Sequence, residues 1–261
     1  MNPLLRAGLG ATCFLVLAHP ASAQWQGKAG LAARYVSHTE YDGAGRRLVR
    51  ESGWLPGLAL DAAWTTGNAT WFAGVNGYRA AIGYRGQTQA GAAADSNTAT
   101  TLATLRLGGA CLLAHDVSVT AALEADLWRR TIRGTGAAAG LQERYRSERL
   151  IFGASKAWHP AAGVVATDFA LVLSTPERMR VGFSGLLDTA TLETRSAPGL
   201  RIGASLHSAF APTLELRGAY DWIRVRRSGD TPVTRNGQFA GTVAQPEHVR
   251  QGLSLTVSRL F

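Results

Sequence analysis

The chain has 261 residues, a formal net charge of +9 and an ordinary 46% hydrophobic fraction that is spread thinly. No apolar run beyond the N-terminal segment is long enough for a transmembrane helix, which excludes a helical membrane protein. Cys111 is the only cysteine outside that segment, which excludes an intrachain disulfide, so stability must come from elsewhere.

The N-terminal segment reads as a secretory signal peptide. Arg6 supplies a positive charge, Ala7 to Leu17 a mostly apolar run too short to span a bilayer, and Ala21-Ser22-Ala23 a small-x-small cleavage site before Gln24. Cys13 belongs to this discarded leader, because Gly10-Ala11-Thr12 lacks the aliphatic residue a lipobox needs. The expected domains are therefore a cleaved leader, 1–23, and a single mature unit, 24–261.

Period-two alternation of apolar and polar residues predicts ten strands, near 28–41, 54–65, 69–83, 98–113, 117–131, 146–158, 164–174, 195–207, 213–225 and 248–261. Eight strands would follow if the third and seventh segments, the least regular, were not real. In the fifth segment Val117, Val119, Ala121, Leu123, Ala125 and Leu127 alternate with Ser118, Thr120, Ala122, Glu124, Asp126 and Trp128. The eighth and ninth repeat the pattern, with Leu200, Ile202 and Leu206 against Arg201 and Ser205, and Leu214, Leu216 and Tyr220 against Glu215, Arg217 and Asp221. Alternation alone fits a soluble sandwich equally well. The leader and the last strand favour a barrel: Leu253, Leu255 and Val257 lead to an aromatic Phe261, the form of a C-terminal signal for the barrel-assembly machinery.

Connections alternate between short and long. Tight turns are expected near Thr66-Gly67-Asn68, Ala114-His115-Asp116, His159 to Gly163 and Ser208 to Pro212, and long loops near 42–53, 84–97, 132–145, 175–194 and 226–247. This is the asymmetry of an outer-membrane barrel with periplasmic turns and external loops. Trp64, Trp71, Trp158, Tyr220 and Trp222 fall where aromatic girdles would lie.

Arg50-Glu51-Ser52-Gly53-Trp54-Leu55-Pro56-Gly57-Leu58-Ala59-Leu60 and Tyr84-Arg85-Gly86-Gln87-Thr88-Gln89-Ala90-Gly91 resemble stretches of a family of uncharacterised outer-membrane β-barrel proteins of Gram-negative bacteria. The resemblance implies an all-β, antiparallel up-and-down barrel of omptin-like size and no agreed activity. Arg259 departs from the terminal strand signal, which usually keeps an apolar residue there.

The inward positions carry both signs of charge. Arg106 is expected to pair with Glu124 or Asp126, and Glu215 and Asp221 with Arg201 and Arg250; with Arg217 these would plug a lumen narrow enough for side chains to fill. A narrow solute pore is the alternative. All but Lys28 and Lys156 of the 27 basic residues are arginine. Arg46, Arg47, Arg146, Arg224, Arg226 and Arg227 are candidates to clamp phosphates of lipopolysaccharide, since guanidinium forks bind phosphate bidentately. The membrane address argues against nucleic acid as the partner of this basic chain.

No catalytic constellation, metal spacing or cofactor motif stands out. The best residues for a rim hydrolase, of omptin-like protease or lipid A deacylase-like type, are His38 with Glu40 and Asp42, or His248 with Glu247, if the first and last strands adjoin. His207-Ser208 offers a base and nucleophile, but neighbours on a strand point to opposite faces. The overall expectation is a monomeric outer-membrane barrel with a structural, binding or adhesion-type role carried by its external loops.

Overall fold

The computed structural model describes residues 23–87, 92–135 and 139–261. The expected signal peptide, up to residue 22, and residues 88–91 of the second motif lie outside the described residues. Every regular element described is a strand: β1 (Gln24–Tyr41), β2 (Arg47–Thr66), β3 (Ala69–Gln87), β4 (Ala93–Leu112), β5 (Val117–Ile132), β6 (Leu141–Trp158), β7 (Gly163–Ser174), β8 (Arg178–Gly182), β9 (Ala190–Glu193), β10 (Ala197–Ser208), β11 (Leu214–Val225), β12 (Thr231–Arg235), β13 (Gln238–Val243) and β14 (Glu247–Leu260). Ten of them, β1–β7, β10, β11 and β14, form an antiparallel up-and-down barrel that closes where β1 pairs with β14, Lys28 opposite Leu260 through Tyr41 opposite Glu247. The third and seventh segments are both real strands. Closure leaves no strand of the ring as a free sheet edge, so the ladder groups of each wall strand face a neighbour on both sides.

Local sequence explains the connections at the turn end. Gly67 sits at the first central position of the β2–β3 hairpin with φ +55°, the conformation a two-residue II′ turn needs. Pro56 has no N–H; β2 pairs with β1 throughout this region, but its ladder to β3 opens between Ser52 and Gly57. Gly57 fills that gap by letting the Tyr78 ring lie over its backbone, where a Cβ would come within 2.5 Å of the ring.

Each strand splits its residues between two faces. Leu31, Leu58, Leu105, Leu123, Phe169 and Ile202 point outward and are exposed as an apolar belt. Aromatic residues bound it: Trp25 stacks on Trp64 at 6.2 Å near the turn end, and Tyr35 meets Trp54 edge-on at 5.6 Å towards the loop end. The two rows are about ten residues apart along β1 and β2, the length of one tilted crossing. Strands β1 to β4 run to 18, 20, 19 and 20 residues, so the barrel continues past the outer row at the loop end.

That projecting part is where the long loops were expected, and two of them are folded. The segment between β7 and β10 is a hairpin, β8–β9, whose β8 pairs with the upper part of β6, Gln142–Arg146 opposite Arg178–Gly182. The segment between β11 and β14 is a second hairpin, β12–β13, turning at Asn236-Gly237 with φ +52° and +78°. Asp188 ties the two together, accepting from the Thr234 hydroxyl at 2.6 Å and the Gly237 N–H at 3.0 Å. These hydrogen bonds hold the Asp188 carboxyl below its ordinary range. Below them, Leu55, Tyr78, Ile82, Trp128, Met179 and Leu192 form a buried cluster inside the loop half of the lumen.

Candidate functional site

The most densely interacting part of the molecule lies inside this loop half, and two kinks in the wall build it. Pro176 and Pro246 cannot donate to a ladder, so β7 breaks from β8 and β13 from β14. At the first break the Glu177 N–H donates to the Thr194 hydroxyl at 2.9 Å, and the Thr194 N–H to the Glu177 carbonyl at 2.9 Å. The second break repeats the device: the Gln245 N–H donates to the Ser228 hydroxyl at 2.9 Å, and the Ser228 N–H to the Gln245 carbonyl at 3.0 Å. In both, a hydroxyl satisfies the amide that the missing ladder bond would orphan. In both, the side chain of the kinked residue enters the lumen.

Glu177 there receives both guanidinium nitrogens of Arg250, at 2.7 and 2.6 Å, and His248 Nε2 lies 3.5 Å away. Burial would raise this carboxyl, but Arg250 and His248 outweigh burial and hold it at about 2. Gln245 donates to Glu40 at 3.1 Å, and Glu40 accepts from His38 Nε2 at 2.9 Å. The His38 and His248 rings are 4.9 Å apart, and the Pro246 carbonyl takes the Nδ1–H of His248 at 3.1 Å. Arg130 bridges to Glu51 at 2.9 Å and to Glu143 at 2.6 Å, while Thr98 caps Glu51 at 2.6 Å. Trp128 closes the cluster, with the Arg250 guanidinium 4.6 Å and that of Arg130 5.1 Å from its ring. A planar guanidinium over an aromatic face keeps favourable contact on the side its carboxylate does not cover.

A middle tier follows. Arg201 joins Glu124 at 2.9 Å and also pairs with Asp221, which takes Arg34 at 2.9 Å; Arg149 joins Glu124 at 3.2 Å and Asp126 at 2.7 Å. Towards the turn end the pairs loosen. Lys28 meets Glu215 at 2.6 Å, Arg217 meets Asp168 at 2.5 Å, and a cavity of about 380 Å³ opens between them. The lumen is thus filled at the loop end and open at the turn end.

The expected pairings are redistributed by this layering. Asp221 meets Arg201, but Arg106 lies 3.9 Å from Asp61 and over the Phe72 ring, because Arg149 and Arg201 occupy Glu124. Glu215 sits near the turn end beside Lys28 and His207, out of reach of Arg250. The rim dyad takes a different form. His38, Glu40 and His248 do converge across the β1–β14 seam, but the histidines are only 1% and 0% exposed. Asp42 is instead bound by Arg46 at 2.7 Å in the exposed turn after β1, and Glu247 faces outward to Arg224 at 2.9 Å.

Among the arginines expected at lipid phosphates, Arg46, Arg224 and Arg227 pair with Asp42, Glu247 and Asp230, Arg146 pairs with Glu148, and Arg47 and Arg226 are exposed. At the other end of the chain, Leu253, Leu255 and Val257 face outward, and Phe261 closes the seam by exchanging backbone hydrogen bonds with Gly27 at 3.0 and 3.1 Å. Glu177 and Gln245 escaped the sequence reading because both fall in stretches taken for loops. Their signal was the adjacent proline within an otherwise strand-like run.

A closed ten-strand up-and-down barrel with an apolar outer belt between aromatic rows is the architecture of outer-membrane β-barrels. Among solved structures, the chain is similar to the outer membrane protease OmpT from Escherichia coli, with a TM-score of 0.57 at 11% identity over 90% of this chain and 95% of that one. It is also similar to the translocator domain of autotransporter NalP from Neisseria meningitidis, with a TM-score of 0.49 at 13% identity over 90% and 88%. At 11% identity the likeness to OmpT is one of fold. No protein-family model and no curated protein matches the chain.

Proposed function

We propose that this is an integral protein of the bacterial outer membrane, exported with cleavage after Ala23, whose barrel is a sealed scaffold presenting the two docked hairpins outside the cell. The turn end then faces the periplasm and the hairpins face outward as a binding or adhesion surface. One observation carries the reading: the loop half of the lumen is packed with fully buried side chains, from Leu55 and Leu192 to Arg130, His38 and His248. A solute path would have to break several charge-assisted hydrogen bonds at once.

The same burial weighs against a hydrolase at His38 and His248, since a general base must reach a substrate proton or a water. In planar bilayers the refolded protein is expected to show no steady conductance; stepwise openings at neutral pH would overturn the sealed-scaffold reading. Peptide and lipid A hydrolysis compared between the wild type and His38→Ala tests the enzymatic alternative. Turnover lost with His38 would favour it.

A further inference from the structure

Outward-facing positions of β5, β6 and β8, where these strands rise past the apolar belt, carry Arg129, Arg144, Arg146, Arg178 and Arg180, all exposed. The registers set like against like: Arg129 is opposite Arg144, Arg144 opposite Arg180, and Arg146 opposite Arg178. Directly opposed charges of one sign destabilise a sheet, and three such pairs share this patch. Carboxylates relieve only its lower edge, where Glu148 lies 3.0 Å from Arg146 and Glu193 3.9 Å from Arg178. No described carboxylate pairs with Arg129, Arg144 or Arg180, so three cations run side by side across three strands.

This patch stands above apolar wall. Arg146 faces Leu127 across the β5–β6 ladder, the next outward pair is Ala125 with Glu148, and below it Leu123 faces Leu150. A ligand complementary to the whole surface therefore has anionic groups at one end and hydrocarbon at the other. We propose that Arg129, Arg144 and Arg180 form a binding site for the phosphates of a phosphorylated lipid headgroup in the outer leaflet, with its acyl chains against Leu123, Leu127 and Leu150. Neighbouring strands are about 4.8 Å apart, so adjacent guanidiniums can share one phosphate and the row spans a headgroup bearing more than one. Bound phosphate also removes the repulsion that the register imposes. This differs from Arg46, Arg224 and Arg227 in and beside the loops, whose carboxylates already satisfy them.

The inference rests on the membrane-spanning reading, and the two can fail separately. If the mature chain is compact and soluble without detergent, the membrane reading falls; if it needs detergent yet binds no phosphorylated lipid, the site alone falls. The full mature chain, refolded in maltoside micelles, is titrated with bisphosphorylated lipid A, with the same lipid after dephosphorylation, and with inorganic phosphate. The bisphosphorylated lipid should bind the wild type, and its affinity should drop about tenfold or more in R129Q/R144Q/R180Q, the range expected for losing several guanidinium contacts. It should hold in R46Q/R227Q, whose arginines already face Asp42 and Asp230. The dephosphorylated lipid should bind both forms equally weakly.

Equal affinity of the wild type and the triple variant for the bisphosphorylated lipid overturns the site, as does dephosphorylated lipid binding the wild type as tightly as the bisphosphorylated form. Inorganic phosphate binding as tightly as the lipid assigns the row to a free anion and also overturns the proposal. If the triple variant does not fold, Arg144→Gln alone, which removes the arginine common to two opposed pairs, must still weaken lipid binding.

Discussion

Replacing Glu177 by glutamine keeps the shape of the side chain and removes the charge on which Arg250 and His248 converge. In the wild type the fork is bidentate at 2.7 and 2.6 Å, with side-chain exposure of 0% for Glu177 and 13% for Arg250. Stripping one partner from a buried pair costs about 3–5 kcal/mol, because the other charge is left in a poor solvent. The glutamine oxygen retains one hydrogen bond, and the Trp128 and Tyr145 rings, 4.6 and 5.0 Å from the guanidinium, still face it, so the expected loss is about 2–4 kcal/mol.

The pH dependence supplies an independent measure. The folded carboxyl at about 2 lies below its ordinary 4.5, so its contribution is complete above the ordinary value and is lost as pH falls towards 2. That displacement corresponds to about 3 kcal/mol at neutral pH, in line with the contact argument. Urea titration of the barrel refolded into phosphatidylcholine vesicles, read by tryptophan fluorescence and by the heat-dependent gel shift, gives both numbers. Wild type and variant should differ fully at pH 7 and converge near pH 2. A difference at pH 7 below about 1 kcal/mol, or one unchanged by acid, would refute the reasoning. Replacing Glu177 and Arg250 together by methionine should return stability to within about 1 kcal/mol of the wild type, because no lone charge remains.

Asp188→Ala should undock the hairpins by removing the acceptor of Thr234 and Gly237; limited proteolysis should then cut within 231–243 while the urea midpoint of the barrel stays unchanged. Gly57→Ala places a methyl 2.1 Å from the Gly77 carbonyl oxygen and 2.5 Å from the Tyr78 ring, so it should destabilise the barrel by about 1–3 kcal/mol in the same titration. Cys111, exposed two residues past Gly109, the partner of Trp71, should react with a membrane-impermeant maleimide only after the outer membrane is opened; labelling of intact cells would invert the orientation.

Most of the wall was legible because its period is two and a one-residue slip would turn Leu123 inward and Glu124 to lipid. The alternation of Val117 to Trp128 assigned each of those side chains of β5 to its face. The short turns were legible for a related reason: Gly67 and Asn68 state their own geometry. What could not be read was which charges meet. Arg106 on β4 and Arg149 on β6 are both direct register partners of Glu124, yet Glu124 takes Arg149 together with Arg201 from across the barrel. In a lumen every inward residue competes with side chains from the far wall, and cross-barrel distance leaves no trace in sequence order. The hairpins β8–β9 and β12–β13 were hidden because each lies beyond a kink that breaks the alternation. The convergence of His38 and His248 followed from barrel closure, whereas their burial depended on Glu177 and Gln245, residues assigned to loops.

The hydroxyl-capped kinks separate a fixed cylinder from what stands on it. Below them, ten strands pair round a closed ring, with one opening between β2 and β3 from Ser52 to Gly57; above them, each hairpin forms its own ladder. A segment grafted or diversified at the two hairpin tips, at 184–186 or 236–237, would leave the pairing of β8 with β6 and the packing of Met179 and Leu192 in place, so the tips are the part of the fold most free to change.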